Sequence, residues 1–138
     1  GMRPLEHEVD TLRKDGQQII IAGVRNPFDL GRNGVSPTLA LSPKDFVILL
    51  VHTPFFFDGY SKWGADLVLA GHVHGGIIRL PIKGGLLSPN REFFPKYDLG
   101  EYNMGKSTMI LSKGLGGSTV LPRVNCKPEI VEITLKSK

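Results

Sequence analysis

The chain has 138 residues, 41% of them hydrophobic, a length that suits one domain with a real core and is short for two. Its 17 lysines and arginines give a formal net charge of +4, but they are spread along the chain, which accommodates an anionic substrate and argues only weakly for nucleic acid. The single cysteine, Cys126, excludes an internal disulfide and any CxxC metal or redox motif, leaving histidine and carboxylate as metal ligands.

Gly1 ahead of Met2 reads as a cleavage scar and is set aside. With Met2 as a start, the charged and polar residues 3–18 hold no signal peptide, and no apolar run approaches the roughly 18 residues of a membrane helix. By itself the chain is expected to be soluble and cytoplasmic by default. Residues 7–24 predict a hairpin, with "EVDTLR" and "QQIIIAGV" as strands and "KDG" as the turn. His7, at its start, is expected to be structural or exposed. Residues 25–45, rich in Gly, Pro, Asn and Ser, predict a long loop with at most one short helical turn.

"FVILLV" (46–51) is a continuous apolar run that predicts a strand covered on both faces, ending at His52. Residues 55–64 predict a short amphipathic helix, weakened by Gly59. "ADLVLAG" (65–71) predicts a second buried strand, ending at His72. Strand, short crossover, strand is the order that favours parallel pairing. From His74 to residue 100 the chain is punctuated by Gly and Pro and is expected to be irregular. "STMILSKG" (107–114) and "EIVEITLK" (129–136) predict two more strands, with the Gly-rich "LGGSTVLPRVNC" between them.

The histidines carry the chemistry. In a strand or extended loop, residues two apart project to one side, so His72 and His74 can converge. His52 ends the other buried strand, so parallel neighbours would gather all three imidazoles beyond the carboxyl ends of the sheet, where open α/β sheets place ligands. Imidazole suits Zn, Fe, Mn, Co or Ni, and Gly71, Gly75 and Gly76 let the backbone bend around an ion. The alternative is three polar residues that finish strand ends and bond to backbone.

The ordered series "LLVHTP", "DLVLAGHVHGG", "IRLP", "SPNR", "SKGLGGS" and "PRVNCKPEIVEITL" resembles the carboxyl-terminal half of calcineurin-like metallophosphoesterases, over the stretch from about Leu12 to the end. The resemblance implies an α/β (α+β) chain with a mixed β-sheet, the carboxyl-terminal half of a four-layer αββα sandwich, residues 1–138 forming a partial phosphoesterase domain. It implies divalent metal ions (Mn, Zn or Fe), two in the intact family site, with His52 and His72 as ligands of one and His74 as a ligand of the other. The intact enzyme would hydrolyse a phosphomonoester or phosphodiester with a metal-bound hydroxide. Family relatives can be membrane-associated or exported.

The sequence also departs from the family. The DxH, GDxxD and GNHD motifs that supply its carboxylates and bridging aspartate are absent, and Ile77 stands where glutamine is usual. Three neutral imidazoles do not neutralise two divalent cations. Asp66 sits at the far end of the strand that leads to His72 and is expected to cap it. Asp58 is expected to be exposed on the helix, and Glu129 and Glu132 to be structural. Gly114, Gly116 and Gly117 suit a tight turn better than a phosphate loop. Arg79 and Arg123 can face a phosphoester or lie on the surface, and Cys126 is expected to be a small buried residue.

The chain alone is therefore expected to be inactive. Its alternatives are a non-catalytic truncated module binding at most one ion weakly through three His, or a mononuclear three-His site with water as the fourth ligand. The apolar strands 46–51 and 67–71 would lose cover supplied by a missing half, so a homodimer or larger assembly is expected.

Overall fold

A computed structural model describes residues 4–6, 8–24, 42, 44–117 and 122–136. His7 and nearly all of the long loop expected at 25–45 lie outside the described residues. The chain divides into two compact units, residues 1–72 with 100–111 and residues 73–99 with 112–138.

The first unit is built on a six-stranded mixed sheet. Its first pair is the expected hairpin: β1 (Glu8–Lys14) and β2 (Gln17–Val24) pair antiparallel from Glu8↔Gly23 to Lys14↔Gln17. Asp15 and Gly16 make the two-residue turn with φ of 51° and 76°. Two successive positive φ values match the twist of the flanking strands, which is why Asp-Gly serves there. β3 (Phe46–Val51) then pairs parallel to β2, and β4 (Leu67–Ala70) parallel to β3. Between them runs α1 (Phe57–Trp63), which buries Phe57 and Tyr60 and exposes an Asp58–Lys62 ion pair on its outer side.

Of the two short strands of the other antiparallel pair, β7 (Gly100–Met104) and β8 (Ser107–Leu111), only the second is expected from sequence, and it ends at Leu111 instead of residue 114. β8 pairs parallel to β4 and antiparallel to β7, giving the order β1-β2-β3-β4-β8-β7. Period-2 alternation turns Ser107, Met109 and Leu111 inward. The register places Leu49, Val68 and Met109 side by side across three strands, each of them fully buried. Ser107 Oγ satisfies its burial by donating to Ala65 O at 2.6 Å. Asp66 is the strand-start residue expected of it: its carboxylate accepts from the Val47 N–H at 2.9 Å and pairs with Lys106 at 3.2 Å.

Cover over β3 is less complete than its sequence suggests. Val47, Ile48, Leu49 and Val51 are buried, but Phe46 is 40% and Leu50 36% exposed. A six-residue apolar run does not by itself reveal how far a second layer extends over its ends.

The second unit contains β5 (Ile78–Leu80) and β6 (Gly84–Leu87), an antiparallel pair with a bulge between Ile78 and Arg79. The expectation of irregular chain here is thus corrected. Strands of three and four residues, interrupted by a bulge and by Gly84-Gly85, carry too little alternation to register as strands. Gly76 and Gly85 lie back to back, so a Cβ on Gly76 would come within 2.5 Å of the Gly85 Cα. The strand expected at 129–136 does not form either. Its alternation calls for a neighbouring strand, and among the described residues none pairs with it, so Ile130 is left 81% exposed. Among the described residues, no helix is long and apolar enough to cross a membrane.

Two stability measurements test this packing. Leu49→Ala removes a fully buried side chain and is expected to cost about 3 kcal/mol in urea unfolding, whereas Leu50→Ala should cost under about 1 kcal/mol; equal losses would contradict the assigned faces. Burial pushes the Tyr60 phenol up to about 12, above the ~10 of an unfolded tyrosine. The unfolded chain therefore gives up this proton first, so stability present below pH ~10 falls as pH rises toward the folded value. Tyr60→Phe should remove that component from the alkaline unfolding curve.

Candidate functional site

The parallel register of β3 and β4 places one histidine at the end of each strand, His52 next after β3 and His72 two residues past β4. Leu50 faces Leu69 across the ladder, and the Gly71 N–H donates to His52 O at 3.2 Å, so the pairing continues one step past the strands. His72 Nδ1 consequently stands 2.8 Å from His52 Nε2. The rings meet at 65° with centroids 4.6 Å apart, and Phe55 presents a near-perpendicular ring to His72 at 5.9 Å. An edge-to-face aromatic contact of this kind restrains an imidazole without using either nitrogen. Tyr60 anchors the residue after His52, its hydroxyl donating to Thr53 O at 3.3 Å.

Imidazole nitrogen is a donor type that suits Zn, Mn or Fe ions, and the pair offers two of them. Two imidazole nitrogens on one tetrahedral ion, each at ~2.0–2.1 Å, would stand roughly 3.3 Å apart, so the 2.8 Å contact is a hydrogen bond between the two rings that a shared ion would have to replace. Among the described residues, no three or more His, Cys, Asp or Glu side chains are gathered as a cage.

The premise that placed His72 and His74 on one side of an extended segment needs correction. Both have left-handed backbones, with φ of 70° and 53°, and the left-handed run continues through Gly75, Gly76 and Ile77. Strand alternation does not describe such a turn. Strain of this kind in non-glycine residues persists only where the surroundings over-determine it.

His74 belongs to the second unit, where Arg123 organises its surroundings. The Arg123 guanidinium donates to Lys113 O at 2.7 Å, to Gly114 O at 3.2 Å and to Gly116 O, and its Nη2 lies 3.1 Å from His74 Nδ1. Cys126, buried as expected, donates its thiol to His74 O at 2.9 Å. Arg123 is thus a partly buried hub, and no spacing in the sequence signals it: it lies 49 residues from His74. Arg79 is also held internally, bonding Gly75 O at 2.7 Å and Asp98 at 2.9 Å. Gly114, with a φ of 64°, sits in the Arg123-bound turn.

Of the carboxylates weighed as substitutes, Asp58, Asp66 and Glu129 are paired with lysines, and Glu132 is exposed. Asp98 also accepts from the Gly85 N–H. Glu129 takes the Lys113 N–H and ammonium, each at 3.0 Å. Burial pushes the Glu129 carboxyl up, but the two Lys113 bonds, with Arg79 nearby, outweigh it and hold the group below its ordinary value.

Several known proteins are similar in sequence to this chain. The chain is 37% identical over 124 residues to the uncharacterized metallophosphoesterase YkuE of Bacillus subtilis, covering 89% of this chain and 42% of that protein. It is 31% identical over 88 residues to the phosphodiesterase YaeI of Escherichia coli, covering 64% and 32% respectively. An uncharacterized metallophosphoesterase of Aquifex aeolicus is 35% identical over 152 residues, 97% of this chain and 56% of its own. The chain spans between 32% and 56% of the lengths of these relatives. No family model matches, and no solved structure does. Ordered similarity to proteins so named, together with the mixed sheet, relates the chain to the calcineurin-like metallophosphoesterases, of which it matches part of the length.

Proposed function

We propose that this chain is the carboxyl-terminal part of a metal-dependent phosphoesterase acting on phosphomonoesters or phosphodiesters. The observation that carries the reading is the 2.8 Å convergence of His52 Nε2 and His72 Nδ1 beyond adjacent parallel strands. His52 and His72 would hold one divalent ion, and His74 would contribute to a second. Such ions polarise a phosphoryl oxygen and lower the pKa of water for attack. His72 is oriented for that role by Phe55, and His52 by the sheet ladder and the Tyr60–Thr53 anchor.

The carboxylates bear on what this chain does alone. Asp58, Asp66, Asp98 and Glu129 each have a cationic partner elsewhere in the fold, so none is spare to neutralise two ions. The chain on its own is therefore a weak binder of one ion and a poor catalyst.

Calorimetric titration with Zn²⁺ should give a single weak site that His72→Ala abolishes. Two tight Mn²⁺ sites would overturn this account of the isolated chain. Hydrolysis of p-nitrophenyl phosphate or its bis-ester, with Mn²⁺ or Zn²⁺ present, is expected to remain near background. Robust turnover lost on His74→Ala would show that the absent carboxylate motifs are dispensable.

A further inference from the structure

We propose that Arg123 is a positioning residue for His74, holding its Nδ1 as a hydrogen-bond acceptor and thereby competing with any metal for that imidazole. Arg123 Nη2 lies 3.1 Å from His74 Nδ1, and Nη1 lies 3.3 Å from His74 O. Nη2 carries two N–H bonds and shares them between the imidazole and the carbonyls of Lys113, Gly114 and Gly116; the guanidinium has no acceptor and does not deprotonate in proteins. A proton on Nδ1 would therefore point a donor at a cationic donor. The favoured arrangement of the neutral ring puts its proton on Nε2 and its lone pair toward Arg123.

The guanidinium is held firmly enough to impose this. Besides the imidazole it reaches the carbonyls of Lys113, Gly114 and Gly116 and the thiol of Cys126. Among the described residues, none of its partners is a carboxylate that would draw it away. Gly116, one of its acceptors, lies so near the ring that an added Cβ would stand 4.0 Å from His74 Cε1. The carbonyl fork remains available if the imidazole contact breaks, so Arg123 can release His74 without leaving its seat.

For metal binding the consequence is a competition, and this part rests on the proposed function. A ligand nitrogen must offer a lone pair. Ligation through Nδ1 needs the position Arg123 takes, and ligation through Nε2 by the neutral ring needs a proton on the nitrogen facing Arg123. The contact and ligation by His74 are thus mutually exclusive.

Long-range ¹H–¹⁵N spectra of the whole chain with ¹⁵N-histidine separate the two ideas. In the metal-free protein, above pH 8, His74 is expected to show an unprotonated Nδ1 and a protonated Nε2. Arg123→Gln, whose amide can donate or accept, should bring both nitrogens toward averaged shifts while leaving the His52 and His72 signals in place; Arg123→Lys, which keeps a cationic donor, should restore the wild-type pattern. A wild-type His74 protonated at Nδ1 overturns the proposal, and this result needs no variant to fold. So does a folded Arg123→Gln protein with an unchanged His74 pattern. Addition of Zn²⁺ alone should perturb His74 at ~10-fold lower concentration in Arg123→Gln than in wild type; Zn²⁺ that never reaches His74 in either protein would count against the metal reading and leave the apo pattern to decide the role of Arg123.

Discussion

Everything positioned in the first unit depends on the parallel ladder between β3 and β4. A parallel register places the carboxyl ends of both strands at the same edge, so His52, next after β3, and His72, two residues past β4, emerge there together. The Gly71 N–H to His52 O bond carries the ladder one step further, fixing the separation of the two rings. Apolar burial keeps the register from slipping: moving β4 by one residue would turn Val68 out of the row it forms with Leu49 and Met109. Core packing and imidazole geometry are one constraint in this unit.

The elements that were legible in the sequence share a property: their signal is local. Asp15-Gly16 is a turn wherever alternating apolar segments flank it, and the runs at 46–51 and 67–70 are long and apolar enough to be strands in nearly any context. His52 and His72 inherit that legibility because each follows such a run. The short strand β7 was hidden because "GEYNM" is mostly polar, and the Gly105-Lys106 turn that returns it onto β8 resembles any loop. The converse error at 129–136 has the same origin. A strand is a relation between two segments, and an alternating pattern specifies only one of them.

The site shows the same division. The approach of Arg123 to His74 depends on a chain path through several turns, with left-handed residues at His74, Gly75, Gly114 and Asn125. No periodicity encodes such a path. The sequence offers only an arginine in a Gly- and Pro-rich stretch, equally compatible with solvent, substrate or backbone. The carboxylates were more tractable, because Asp66 at the start of a strand has the backbone of its neighbour within reach, and it uses it.

Strand order also bears on how the chain acquires its structure. The two antiparallel pairs of the six-stranded sheet, β1–β2 and β7–β8, close through two-residue turns and belong to the microsecond regime of hairpins. The three parallel pairings join segments far apart in sequence: β8 meets β4 at Leu67↔Thr108 and Ala70↔Leu111. Contacts of such separation carry the loop-closure entropy that slows folding. The His52–His72 pair forms only when β3 and β4 meet, so its assembly belongs to the late, cooperative step; neither hairpin can create it in advance.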